Sequence, residues 1–224
     1  MAHDDDSFIR EVNEELRSDQ MKAVWRQYGK LLIATAVLIV IGTAGYRVYD
    51  YWTLSQASAS GDKFLAAMKL AEDPSTRDQA KAAFEALEKD GFGSYPDLAR
   101  MREASLIAEQ GDKKAAADAF AAIARDTSVP EAVRDAARLR AGWLLIDDAP
   151  YADVSAQVEE LAVPENPMRH SAREALGLSA YKNGDYARAK QWYEAIAADG
   201  QTPGNVANRT QIMLDLIASS GKVS

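Results

Sequence analysis

The sequence contains no cysteine, which excludes disulfides, thiol nucleophiles and cysteine-ligated metals together. Histidine is nearly absent too. With two of them, no site built from several converging imidazoles can form, and neither a metal nor a cofactor is expected. His3 precedes Asp4, Asp5 and Asp6 and belongs to a terminal tail, while His170 opens an expected helix with its side chain expected at the surface. No phosphate-binding glycine loop, no HExxH and no G-x-S-x-G occurs. A surplus of positive charge is also missing. The net charge of −8 argues against a nucleic-acid partner, whose phosphates require a clustered basic surface. Alternating β-branched runs are scarce outside one apolar segment, so strands are not indicated.

That segment is Leu31 to Gly45, LLIATAVLIVIGTAG, without a single charged residue. Its large members are Leu31, Leu32, Ile33, Val37, Leu38, Ile39, Val40 and Ile41. Extended to Tyr28 and Tyr49 it has about 22 residues, or ~33 Å of helix at ~1.5 Å per residue, enough to cross a hydrocarbon core of ~30 Å. Lys30 and Arg47 then lie at the two faces, stems along the helix and charges toward the headgroups. Trp25 and Tyr28 precede the span; Tyr46, Tyr49, Tyr51 and Trp52 follow it, where interfacial aromatics belong. A core helix of a soluble domain would have no reason for this arrangement at both ends.

Arg17, Lys22, Arg26 and Lys30 stand close before the span, against Arg47 and the more distant Lys63 after it. The positive-inside tendency therefore places the N-terminus in the cytoplasm. A cleaved signal is disfavoured, since about 30 polar residues precede a run longer than the usual h-region. A mitochondrial inner-membrane protein shares such a layout, but the acid-rich start argues against a transit peptide. Three regions are expected: an acidic, amphipathic arm over 1–27, a transmembrane helix over 28–50, and a helical domain over 51–224. In the arm, Ser7 is placed to cap a helix, and Phe8, Val12 and Leu16, with Ile9, fall on one face. Such a face suits a cytoplasmic partner or the membrane surface, and a solvated arm is the plainer alternative. Glu11, Glu14 and Glu15 disfavour adsorption to an anionic leaflet.

Beyond Trp52 the apolar content is dominated by alanine, which favours helices and lets their backbones approach closely. Pro96, Pro130, Pro164 with Pro167, and Pro203 recur near the ~34-residue period of tetratricopeptide repeats. A small residue, a large one a turn later and an apolar one three further on recur in step. They are Ala80, Phe84 and Leu87; Ala116, Phe120 and Ile123; Val154, Val158 and Leu161; and Ala189, Tyr193 and Ile196. Each set shares one helix face, the small residue making room for a neighbouring helix.

Partner helices are expected over Ser58 to Ala71, Asp97 to Glu109, Glu131 to Leu145 and Arg169 to Tyr181. Gly111-Asp112 and Asn183-Gly184-Asp185 supply turns in which one residue takes the left-handed conformation and Asp caps the next helix. Ser60-Gly61-Asp62 is either a break or a soft spot. Asn205 to Ser219 is a terminal capping helix. The third unit departs most, having neither the Gly-Asp turn nor a large aromatic. The fourth, Leu176 to Tyr186 followed by Ala189, Trp192 and Tyr193, closely follows the tetratricopeptide consensus. The expected fold is all-α: a single transmembrane helix followed by a right-handed α-solenoid of helical hairpins.

Among potentially chemical residues, Asp147-Asp148 and Glu159-Glu160 are most simply solvated faces, although spacing alone leaves a paired-carboxylate site open. Asn208-Arg209-Thr210 matches a glycosylation triplet of low specificity. Tyr181, Tyr186, Trp192 and Tyr193 have the spacing of core residues, and any that face the concave side would suit a partner segment.

Taken in order, the acidic arm, Asp19-Gln20-Met21-Lys22-Ala23-Val24-Trp25-Arg26-Gln27-Tyr28-Gly29-Lys30 running into the span, Tyr46-Arg47 at its exit and the helical repeats resemble the YfgM family of bacterial inner-membrane proteins. The resemblance covers nearly the whole chain. It implies an ancillary subunit of the SecYEG protein-conducting channel, working beside a membrane-anchored periplasmic chaperone of the PpiD type and linked to an envelope-stress response regulator. On that basis the chain is expected to be a periplasm-facing, non-enzymatic adaptor without a small-molecule substrate. A repeat adaptor in cell division or envelope assembly is the alternative, and an enzyme with an acid-based site is a third.

Overall fold

Short-range chemistry fixes most helix ends. The structure, a computed structural model, describes the backbone of residues 3–222 and the side chains of residues 21–222 other than Val24. Ser7 and the apolar face expected of the arm, Phe8, Ile9, Val12 and Leu16, lie outside the described side chains. Among the described residues there are nine α-helices and no strand: α1 (His3–Glu72), α2 (Arg77–Asp90), α3 (Tyr95–Glu109), α4 (Lys113–Arg125), α5 (Glu131–Leu145), α6 (Tyr151–Val158), α7 (Arg169–Lys182), α8 (Tyr186–Ala197) and α9 (Gly204–Ser219). Asp112 accepts a hydrogen bond from the Ala115 amide at 2.9 Å, and Asp185 from that of Arg188 at 3.0 Å, so each caps a helix. Gly111 and Gly184, at φ +97° and +79°, make the left-handed turns just before them. Asn183 keeps a negative φ, leaving that duty to the glycine.

Two units divide the chain, residues 1–57 and 58–224. In the first, α1 is a helix whose apolar side chains from Leu31 to Ile41 are exposed. In the second, successive helices pack in order: α2 on α3, α3 on α4, and so on to α8 on α9. The last turns of α1 pair with α2, α3 with α4, α5 with α6 and α7 with α8, which makes four hairpins followed by α9.

Each hairpin joins a large residue on its second helix to a smaller or flexible one at the matching place on its first. Met68 stands with Phe84, Ala104 with Phe120, Gly142 with Val158 and Gly177 with Tyr193. Phe84, Phe120, Val158 and Tyr193 are buried, as are Leu87, Ile123, Leu161 and Ile196 one turn on. Such side chains stabilise by roughly 1.5–3 kcal/mol each. Phe64 meets Phe84 edge-on, with ring centres 5.7 Å apart.

Helix α1 runs unbroken through Ser60-Gly61-Asp62. The Ser60 hydroxyl accepts from the Phe92 amide at 3.0 Å, and a Cβ at Gly61 would lie 2.7 Å from the Tyr95 hydroxyl. These small residues are where the α2–α3 connection docks on the helix. In the third hairpin, the irregular one in sequence, α6 is short and ends in a 3-10 turn over Glu159–Ala162. Its packing is nevertheless close, because Gly142 removes on α5 the bulk that Val158 lacks the length to reach past.

Candidate functional site

In the first unit the polar groups of the apolar stretch are satisfied within the helix. The Thr35 hydroxyl donates to the Leu31 carbonyl at 2.9 Å, and Thr43 to that of Ile39 at 2.7 Å. A lipid-facing helix needs this, since hydrocarbon offers no hydrogen-bond partner. Leu31, Leu32, Ile33, Val37, Leu38, Ile39, Val40 and Ile41 all point away from protein. Among the described residues this is the one helix long and apolar enough to cross a membrane, and it lies near the N-terminus, as a single-pass anchor or a signal sequence does.

In the second unit the first helices form one layer. Helix α3 touches α5, α5 touches α7 and α7 touches α9, whereas no pair of second helices makes as extensive a contact. The first helices therefore line the inner side of the stack. Exposed apolar residues lie along them: Leu65 is 67% exposed, Leu98 40% and Trp143 39%, with Met101, Leu139 and Leu178 half-buried among them. Leu65, Met101 and Leu139 hold matching places in successive repeats, as do Ser105, Trp143 and Leu178. Arg140 crosses from α5 to α3, donating to the Ser105 hydroxyl at 3.2 Å with its guanidinium 5.8 Å from the Phe120 ring centre. Exposed apolar residues on a stacked helical layer are the kind of surface that such architectures present to protein segments.

Charged residues that look available in sequence are committed to structure. His170, expected exposed, is buried at 7% exposure, with Nε2 3.0 Å from Asp199 Oδ2 but off the line of a hydrogen bond. Asp199 accepts from Arg169 Nε at 2.6 Å, from Arg173 Nη1 at 3.3 Å and from the Gln201 amide at 3.0 Å. The Arg169 bond, then the Gln201 amide, hold its carboxyl well below the usual carboxylate range. Glu174, also buried, takes a bidentate pair from Arg209 at 2.6 and 2.8 Å. Burial first, then the Glu174 charge, push the Tyr193 phenol upward. The sequence carries one half of this cluster as the spacing of four between Arg169 and Arg173; the partners lie 22 to 35 residues downstream and have no local signature.

The acid pairs resolve in the same way. Asp147 accepts from Lys182 Nζ at 2.7 Å and from Lys113 Nζ at 3.0 Å, bonds that hold its carboxyl at about 2. This clasp ties together the turn edges of three hairpins where the third has no Gly-Asp turn. Glu159 engages the Ser155 hydroxyl, and Glu160 lies 3.3 Å from Arg138. Among the described residues, no group of three or more His, Asp or Glu is placed to hold a metal ion. Thr210 of the glycosylation triplet is buried in α9 with Arg209 held by Glu174, so the folded helix offers no extended acceptor. Tyr193 is core; Tyr181 and Tyr186 meet edge-on at 5.1 Å, and Trp192 donates to the Tyr151 hydroxyl at 3.0 Å.

A family model described as a tetratricopeptide repeat-like domain matches residues 22–219. The chain belongs to this tetratricopeptide repeat-like family. The match takes in the basic flank and the apolar helix as well as the hairpins. Tetratricopeptide repeat-like domains are protein-interaction architectures, in which a stacked helical layer presents an extended binding face. No curated protein and no solved structure matches the chain.

Proposed function

We propose that this protein is a membrane-anchored adaptor of the YfgM type. The arm over 1–27 is cytoplasmic, the helix over 28–50 spans a bacterial inner membrane, and the domain over 51–224 faces the periplasm. There it works beside the Sec protein-conducting channel and a PpiD-type chaperone on newly exported proteins, while the arm is available to a cytoplasmic response regulator. The observation that carries this is the apolar strip of Leu65, Leu98 and Trp143 on the inner helix layer of a chain that also bears a lipid-suited helix. Anchoring raises the local concentration of the strip near its partners, so individual contacts can stay weak. A non-enzymatic role is supported by the ion pairs that occupy the acid pairs.

A photocrosslinking residue at Leu98 or Trp143, with Ala122 on a second helix as control, tests this in native membranes. Recovery of channel subunits and the envelope chaperone from the two inner sites, and not from Ala122, is the expected result. Recovery of division or outer-envelope assembly proteins without channel subunits would replace the Sec assignment with another adaptor role.

A further inference from the structure

The N-terminal flank of the apolar helix has a geometry that orientation alone does not require. Lys22, Arg26 and Lys30 recur every four residues, so they lie on one face of α1 at ~6 Å steps. All three are exposed. Gly29, three residues after Arg26 and next to Lys30, lacks the side chain that would hold the Trp25 ring off the backbone. The indole of Trp25 lies flat over that glycine: a Cβ at position 29 would stand 3.3 Å from the ring atoms, and Gly29 is buried although the residues around it are exposed. From Met21 to Tyr49 the described side chains include no carboxylate. Among the described residues, neither Arg26 nor Lys30 has an ion-pair partner. Directly after Lys30 the uncharged stretch begins.

We propose that Trp25, Arg26, Gly29 and Lys30, with Lys22 beside them, form a seat for the headgroup of an anionic phospholipid. The phosphate lies between the guanidinium and the ammonium, beside the indole that is seated on Gly29. The acyl chains run along Leu31 to Ile41. Arg26 and Lys30, neither with an ion-pair partner among the described residues, favour an anionic headgroup over a zwitterionic one, each contributing about fivefold at an anionic surface. The adjoining apolar helix favours a lipid over a free phosphate. This seat rests on the membrane-span reading proposed above.

The full chain is reconstituted in phosphatidylcholine vesicles carrying a trace of photoactivatable phosphatidylglycerol, and crosslinks are mapped. Labelling of residues 22–33 that unlabelled phosphatidylglycerol competes away, and free inorganic phosphate or added phosphatidylcholine does not, is expected. Arg26→Gln with Lys30→Gln lowers that labelling on the order of tenfold. Gly29→Leu lowers it as well, with every charge intact, by displacing the indole seated there. Equal labelling by a phosphatidylcholine probe, or labelling unchanged in both variants, overturns the seat. Alkaline carbonate extraction of the same vesicles separates the two claims. A chain that stays in the membrane with unchanged labelling defeats the seat alone, and a chain that is extracted defeats the span and the seat together.

Discussion

Gly142 shows how one residue decides whether a hairpin closes. A Cβ there would stand 2.4 Å from Val158 Cγ1, much closer than carbon atoms approach without displacement. Gly142→Ala gains ~1 kcal/mol of helix propensity but forces an overpacking cost of roughly 1–3 kcal/mol, so a net loss of about 1 kcal/mol is expected. Combined with Val158→Ala, which alone leaves a cavity, the added methyl finds space. The double variant should therefore lose less than the sum of the singles. Urea unfolding followed by helical circular dichroism measures this cycle, and strict additivity would show that the two residues do not share the contact. Gly177 and Tyr193 repeat the device, with 2.8 Å from a would-be Cβ to the ring. The fourth hairpin was legible because Gly177 and Tyr193 are consensus residues. In the third, a valine in place of the aromatic hid the matched glycine, since complementarity between two helices has no signature within either one.

At the scale of elements, helix limits were written locally. The Asp caps, the glycines with positive φ and the prolines at Pro96, Pro130, Pro150 and Pro203 stop and start helices by short-range chemistry, and the sequence shows them directly. The buried charges of α7 were not legible, because Arg169, Arg173 and Glu174 find their partners on the α8–α9 connection and on α9. A surface reading of His170 followed from its polarity and position, and it fails because that connection folds over it. For α1 the decisive property is apolarity without charge over Leu31 to Gly45. Replacing Leu38 and Val40 with Arg costs about 2.5–3.5 kcal/mol each near a bilayer centre. The double variant should move from the membrane pellet to the soluble or degraded fraction, and unchanged fractionation would argue that this helix does not cross.

For the whole molecule, the family match from residue 22 to residue 219 joins the apolar helix to the repeats. A helical stack alone would make a diffusing adaptor; joined to the anchor proposed above, it would act where its partners are concentrated. Periodicity made the solenoid legible, because every repeat solves the same burial problem with the same residue sizes. The exposed apolar strip proposed as the binding face was less so. Leu65, Leu98 and Trp143 are spread over three helices, and what marks them is that nothing in the domain covers them, a property of the assembled layer.

The absence of cysteine offers the most direct test of the proposed topology. Single Ser7→Cys and Ser75→Cys chains can be probed with a membrane-impermeant maleimide without background, Ser75 being exposed. In intact spheroplasts the account predicts labelling at position 75 and none at position 7 until the membrane is permeabilised. Labelling at position 7 with position 75 protected would reverse the protein in the membrane and contradict a periplasmic adaptor.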